Sequence, residues 1–222
     1  MMTPNDLYKE FKYFKEIYTT LNKLPNMEII SKNGVISFRL SGGDDSDFFI
    51  LRGELYGETE FLKWVKQKDG IIKLSTDDIS TLGKCLKKNA KSVNGDDEDT
   101  FVFAMDGKDD NDNAIVSTVM LFRDPYAEDK KLSKIIPLLT SSETISINSF
   151  GKEILNIYLD GGKISMTNGK KLLEIPTKKV LSLIKGAPNC EISYSNPEAK
   201  EHYIAIKSSN SNLMLEQIFA TI

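Results

Sequence analysis

The chain has 222 residues, of which 40% are hydrophobic and 27% are charged, and its formal net charge is −3. This length suits one large domain or two small ones, and the composition provides enough apolar residues for a core. Its apolar runs are too short for a membrane-spanning helix, and the first residues lack the apolar region of a signal peptide.

The first half begins with a helical pattern and continues with strand patterns. Apolar residues recur at spacings of three and four from Leu7 to Leu21, which predicts a helix over 5–23 that Pro25 ends. Asn33-Gly34 is a hairpin signal, and the segment 54–69 stays unassigned. Alternating residues predict strands over 27–31, 35–40, 48–51, 100–105 and 114–122.

The segment IIKLSTDDISTLGKCLKKNAK predicts a strand that leads into a helix over 77–91. Ser75 or Thr76 is the expected N-cap, because a hydroxyl oxygen there accepts a bond from a free backbone N–H. Asp77 and Asp78 suit the positive end of the helix dipole.

The second half repeats this order. A short helix is predicted over 129–139, where Pro137 must either begin the helix or shorten it. The segment LLEIPTKKVLSLIKGA predicts a strand that leads into a helix over 177–186. A shift of 101 positions aligns Ile72 with Leu173 and Phe103 with Ile204. Further strands are predicted over 144–148, 153–159, 163–167, 202–207 and 213–222.

The repeated order predicts an α+β protein of two similar domains, each with antiparallel sheets and helices on one face. We expect an N-terminal domain over 1–122, a connector over 123–131 and a C-terminal domain over 132–222.

Lysine residues are concentrated in the predicted helices. The four helices together contain fourteen lysines and six acidic residues, although the chain as a whole is acidic. In the helical projection most of these lysines lie opposite the apolar face. A surface of one charge sign suits contact with phosphates. The only arginines, Arg39, Arg52 and Arg123, lie outside these helices, so bidentate reading of guanine is not expected.

The sequence offers no convincing catalytic group, and we expect neither enzymatic activity nor a cofactor. His202 is the only histidine and is predicted to be structural. Cys85 and Cys190 are far apart without metal-ligand neighbours, which indicates reduced thiols in the cytoplasm. The acidic stretch 95–113 fails the calcium-loop pattern, since Ala114 replaces the required glycine. A solvated hairpin loop is the favoured interpretation, and a magnesium-binding carboxylate pair stays open.

The strand-then-helix steps IKLSTDDISTLGKCLK and LEIPTKKVLSLIKGA, together with the four basic helices, resemble those of sliding clamps, the ring-shaped processivity factors of DNA polymerases. The length and two-domain order are similar to the T-even-type phage clamps. This resemblance implies a viral replication protein of the host cytoplasm that forms a homotrimer. It also implies that double-stranded DNA, a DNA polymerase and a clamp loader are the partners, and that no membrane is involved.

In such a ring the helices line the hole. The resemblance then makes eight lysines the candidates for DNA contact: Lys9, Lys12, Lys84, Lys88, Lys91, Lys134, Lys178 and Lys185. It also implies an apolar pocket for partner peptides, for which the candidates are Phe122, Pro125, Tyr126, Phe219 and Ile222.

Two other functions stay open. The first is a metal-dependent nuclease that uses acidic-loop residues: Asp106, Asp109, Asp110 and Asp112. The second is a duplicated α+β scaffold protein that does not bind DNA.

Overall fold

A computed structural model of the protein describes residues 27–42, 49–56, 60–75, 78, 91–94, 99–108, 111–184, 186–196, 199–210 and 213–221. The chain forms two compact units. Unit 1 comprises Met1–Arg39 and Leu55–Ala127, and unit 2 comprises Leu40–Glu54 and Glu128–Ile222. Among the described residues, no helix is long and apolar enough to cross a membrane.

The described part of the chain is mostly antiparallel sheet with a few short helices. Its strands are β1 (Met27–Lys32), β2 (Val35–Gly42), β3 (Phe49–Leu55), β4 (Gly70–Leu74), β5 (Lys91–Asn94), β6 (Thr100–Lys108), β7 (Ala114–Asp124), β8 (Leu139–Ser146), β9 (Ile154–Asp160), β10 (Lys163–Ser165), β11 (Lys170–Pro176), β12 (Asn189–Ser195), β13 (Tyr203–Ser209) and β14 (Leu213–Ala220). Its α-helices are α1 (Glu60–Gln67) and α2 (Leu132–Ile135), and its 3-10 helices are η1 (Ile136–Leu138), η2 (Ile147–Ser149) and η3 (Thr177–Lys179).

The strands of unit 1 lie in the order β5-β6-β7-β4-β1-β2. Neighbours in this order are antiparallel. Strands β1 and β2 are joined by Asn33 and Gly34, whose φ angles of 51° and 76° give the left-handed backbone of a two-residue hairpin turn. The hairpin predicted from this dipeptide is therefore confirmed.

Helix α1 covers one face of this sheet. Its buried residues are Phe61, Leu62, Trp64 and Val65, which form the apolar stripe expected at helical spacing. The Trp64 ring lies 4.9 Å from the Phe101 ring in β6, and the Phe61 ring meets Phe101 edge-on at 5.7 Å between centroids. This aromatic cluster joins the helix to the sheet of unit 1.

Unit 2 contains two sheets, β3-β14-β13-β12-β8 and β10-β9-β11. Strand β13 is buried on both faces. Ile204 and Ile206 belong to a core that includes Leu155 and Ile157 of the three-stranded sheet. Its other face belongs to a second core with Ile135 of α2 and Ile50 of β3. This two-sided burial explains why β13 begins with a continuous apolar run instead of an alternating one.

The two units share a strand arrangement. In unit 1 the order β4-β1-β2 matches β11-β9-β10 of unit 2, and the antiparallel series β5-β6-β7 matches β12-β13-β14. In each set of three strands, the hairpin β1–β2 or β9–β10 has a two-residue turn. In unit 2 this turn is Gly161-Gly162, with φ angles of 56° and 84°. The shift of 101 residues places Ile72 and Leu173 in β4 and β11, the corresponding strands. The units differ in one strand pairing. In unit 1, β4 pairs with β7 through Ile72 and Arg123, whereas in the described part of unit 2 the corresponding strands β11 and β14 are not paired.

Two predicted helices differ from the structure. Over 129–139, only Leu132–Ile135 is α-helical, and the chain continues as η1 and then enters β8 at Leu139. Pro137 lies within η1 and lacks the N–H that another α-helical turn would need. The proline therefore shortens the helix, which is one of the two outcomes expected.

The helix predicted over 177–186 is wrong. Among the described residues of this range, only Thr177–Lys179 is helical, as one 3-10 turn, and Val180 is already extended. The buried side chain of Gln217 replaces helical hydrogen bonds, because its Oε1 accepts from Leu181 N at 2.6 Å and its Nε2 donates to Lys179 O at 3.1 Å. A residue 36 positions away in the chain thus satisfies this backbone.

Two of the predicted helices lie wholly or mostly outside the described residues. The helix over 5–23 lies outside the described residues, as does most of the helix over 77–91. At its start, Ser75 Oγ and the Asp78 carboxylate bond to each other's backbone N–H at 3.2 Å and 2.9 Å, which is a capping box with Ser75 as N-cap. Its expected last residue, Lys91, begins strand β5 instead.

Candidate nucleic-acid interface

The structure describes three of the eight predicted DNA-contact lysines. Lys91 lies in β5, opposite Ala104 of β6, and is therefore a strand residue instead of a helical one. Lys134 lies on α2 and Lys178 on η3, and both side chains are exposed. The remaining candidates lie outside the described residues: Lys9, Lys12, Lys84, Lys88 and Lys185.

Lys134 projects from a short helix that is fixed at both ends. Asp129 Oδ1 accepts from the backbone N–H groups of Lys131 and Leu132 at 2.8 Å and 3.0 Å, which caps the first turn. Ile135 is buried next to it in the core of unit 2. The amine of Lys134 is thus held on the solvent side of α2.

Lys178 lies beside a loop from another part of the chain. The Thr177 hydroxyl donates to Gly151 O at 2.7 Å, and Thr177 N donates to Glu153 O at 2.9 Å. These bonds bring Lys178 and Lys179 next to Lys152, and all three side chains are exposed. Sequence analysis missed Lys152 and Lys179. For Lys152 the missing information was the pairing of β9 with β11, since it is far from Lys178 in sequence, whereas Lys179 directly follows Lys178.

The three arginines are engaged within the fold. Arg39 of β2 pairs with Glu28 of β1, and the Arg39 Nε atom donates to the Glu28 carboxylate at 2.9 Å. Arg52 of β3 pairs with the buried Glu216 of β14. The buried Arg123 bonds to backbone carbonyl groups of unit 1. No arginine of this chain is thus left as a solvent-facing anchor for a guanine base.

The predicted partner pocket includes residues in very different surroundings. Phe122 is 62% exposed on β7, on the same face as Met120 at 52% and Val116 at 64%. Pro125 is exposed and Tyr126 is half-buried. The residues Val116, Met120 and Phe122 thus form an exposed apolar stripe on unit 1.

Tyr126 is held by a lysine of the β1–β2 hairpin. Lys32 Nζ donates to Tyr126 Oη at 3.2 Å and lies 4.3 Å from the centroid of its ring. Phe219, in contrast, is buried in the core of unit 2 with Ile192 and Ile204. Ile222 lies outside the described residues.

The titratable groups of unit 2 are placed for structural roles. His202 is half-buried and lines a shallow pocket with Lys170, Tyr194 and Tyr203. Burial raises the pKa of the Cys190 thiol to about 11, which lowers its reactivity. In unit 1, Asp112 of the open nuclease hypothesis is exposed in a turn with φ 68°. The described residues contain no cluster of three or more His, Cys, Asp or Glu side chains that could hold a metal ion.

No family model matches this chain, and no curated protein matches it. Among solved structures, the chain is similar to a chain in the structure of the C-terminal region of FEN-1 bound to A. fulgidus PCNA. The sequence identity is 9% and the TM-score is 0.41, and the match covers 100% of this chain and 96% of that chain. These comparisons assign no family to the chain.

Proposed function

We propose that this chain is a sliding clamp, a non-catalytic protein that closes around duplex DNA as a homotrimer and tethers a DNA polymerase. In this proposal the two domains over 1–122 and 132–222, joined by the connector over 123–131, repeat one unit around the ring. The observation that carries the proposal is the duplicated strand arrangement, in which β4-β1-β2 and β5-β6-β7 have counterparts in β11-β9-β10 and β12-β13-β14.

Duplication suits a protein that encircles DNA without reading it. The phosphates of a duplex surround its axis on all sides, so that a ring made of repeated units can offer similar groups to the backbone at every position. Such contacts depend on charge and not on base sequence. The four segments 5–23, 77–91, 129–139 and 177–186 hold fourteen lysines and six acidic residues in a net-acidic chain, which is the charge separation that this function needs.

The different roles of the arginines and the lysines also support the proposal. Arg39, Arg52 and Arg123 are committed to contacts inside the fold. The cations that remain for a partner are lysines, whose compact and hydrated ammonium groups fix no bidentate geometry. A protein that must slide along DNA benefits from contacts that re-form easily at the next phosphate.

For the polymerase and the clamp loader, we propose the exposed apolar stripe of β7 and the segment that follows it. Met120 and Phe122 are more than half exposed, and Pro125 and Tyr126 follow on the same chain segment. An apolar surface of this kind, rimmed by polar groups, is typical of a site that binds another protein.

Encirclement can be tested without a clamp loader. The protein is incubated with linear duplex DNA that has biotin at both ends, so that a ring can thread onto an open end. Streptavidin is then added to block the ends, and the complex is washed in high salt. A clamp is retained only on DNA with both ends blocked, and cutting that DNA releases it.

A triple variant tests the lysines. Reversing Lys84, Lys88 and Lys91 to Glu is expected to abolish salt-resistant retention, whereas reversing the exposed Lys63, Lys163 and Lys200 should preserve it. The proposal would be contradicted if the native protein were retained equally on DNA with blocked ends and on DNA with open ends, or if it were retained on neither.

A further inference from the structure

Three lysines lie just beyond the paired ends of β9 and β11. The two strands are antiparallel, and their last pair is Ile154 with Pro176. Beyond this pair, Thr177 bonds to the carbonyl oxygens of Gly151 and Glu153, on either side of Lys152, so Lys178 lies close to Lys152 in the fold. Lys179 follows on the same 3-10 turn. We call Lys152, Lys178 and Lys179 the basic cluster of unit 2.

The backbone of the basic cluster is held in place on both sides. Thr177 makes two bonds to the facing loop, from its hydroxyl to Gly151 O at 2.7 Å and from its N–H to Glu153 O at 2.9 Å. A side chain at Gly151 would collide with the carbonyl oxygen of Ile154, so this loop requires glycine. On the far side, the buried Gln217 holds Lys179 O at 3.1 Å. The lysines therefore project from a rigid base.

The charge of the basic cluster is poorly neutralised. None of the three amines makes an ion pair with another described residue. Glu153 is exposed in the same loop, while the nearby Glu174 of β11 is already paired with Lys171. Like charges that are held close together repel one another. A fold that fixes them in this way favours a partner with several negative charges.

We infer that the basic cluster is a contact for the phosphodiester backbone of DNA, supplied by a loop and a 3-10 turn instead of a helix face. This inference rests on the proposed function and adds Lys152 and Lys179 to the surface that would meet DNA. Successive phosphates of one strand offer repeated charges to such a cluster, and lysines contact them without regard to sequence.

The test measures binding to short linear duplex DNA with open ends, labelled for fluorescence anisotropy, over a range of salt concentrations. The triple variant Lys152→Ala, Lys178→Ala and Lys179→Ala is compared with a matched control, in which Lys163, Lys170 and Lys200 are changed to Ala. All six side chains are exposed lysines of unit 2, so both variants lose the same charge.

Each lost phosphate contact lowers the slope of log affinity against log salt by about 0.9. We expect the cluster variant to lose about 2 to 3 in slope and at least about tenfold in affinity at low salt, equally for unrelated sequences, with no loss of thermal stability. The control should bind like the native protein. Equal losses in both variants, native-like binding by the cluster variant, or no binding by the native protein would overturn the inference. Binding to open-ended DNA does not require a closed ring. If the protein is a monomer and still shows the predicted slopes, the proposed clamp function is refuted, whereas the inference about the basic cluster is supported.

Discussion

The guanidinium carbon of Arg123 lies 4.4 Å from the centroid of the Trp64 ring, and Arg123 Nη2 donates to Trp64 O at 2.6 Å. Its Nη1 donates to Lys68 O at 3.2 Å, so the side chain satisfies two carbonyl groups where α1 ends. Arginine thereby caps the helix and joins it to β7.

Replacing Arg123 by Met should lower the free energy of unfolding of unit 1 by about 2 to 4 kcal/mol. The variant leaves two carbonyl acceptors without this donor and removes the cation–π contact. Trp64 is the only tryptophan of the chain, so its fluorescence during urea denaturation reports on this unit. Lys68→Ala serves as the control, because it removes only an exposed ion pair with Asp99 and should change little. Equal stabilities for the Met variant and the native protein would show that the cap is unimportant.

A methyl group at Gly70 should disturb the same junction. A Cβ atom there would lie 2.5 Å from Arg123 Cγ and 2.7 Å from Asp124 O. The second contact is with backbone, so β4 and β7 must separate, and we expect Gly70→Ala to cost about 1 to 3 kcal/mol. In an Arg123→Ala background the cost should be smaller, because the clashes with the Arg123 side chain are gone and only the one with Asp124 O stays. Strict additivity of the two changes in a double-mutant cycle would contradict this account.

Removing the Gln217 amide should release the segment after β11. Gln217→Leu leaves Leu181 N–H and Lys179 C=O without these partners, which we expect to cost about 1 to 3 kcal/mol. Local opening then lets trypsin bind the backbone at Lys178 and Lys179, and limited proteolysis with mass spectrometry should show faster cleavage there. The exposed Gln67→Leu provides the control. An unchanged cleavage rate would mean that other contacts hold the segment.

Alkaline pH should weaken unit 2 through Tyr203. Burial, together with a hydrogen bond from its hydroxyl to Glu201, raises the pKa of Tyr203 from 10.0 to about 12. The neutral phenol is therefore favoured in the folded state, so its contribution to stability is complete below pH 10 and is lost as the pH rises towards about 12.

Denaturant midpoints measured through this window should fall less steeply for Tyr203→Phe than for the native protein. The Cys190 thiol acts in the same direction at lower pH, since its pKa is raised from 9.0 to about 11. The comparison is best made in a Cys190→Ala background for both proteins. Parallel curves would show that Tyr203 is not linked to folding.

Local signals in the sequence were enough to predict most strands. Asn33-Gly34 marks its hairpin because its turn needs a left-handed backbone, and the alternating residues of β1 and β2 follow the pleat. Ser75 was one of two expected caps, and its bonds with Asp78 confirm it. Each of these features depends on residues that are close in the chain.

The errors arose where distant residues decide the conformation. The pattern over 177–186 suits a helix, yet Gln217 binds its backbone from β14. Helix α1 was not predicted because it is short, and because its apolar residues can be recognised as a buried face only when the contact with Phe101 of β6 is known. Lys152 joins Lys178 only through the pairing of β9 with β11. Sequence spacing carries no information about such contacts.

The mass of the protein in solution, measured by sedimentation equilibrium across a range of concentrations, tests the central claim most directly. The chain has a mass of 24.9 kDa, and a closed ring of three copies predicts three times this value, unchanged on dilution through the micromolar range. A monomer at all concentrations would contradict the clamp, since one chain of two units cannot surround a duplex as proposed.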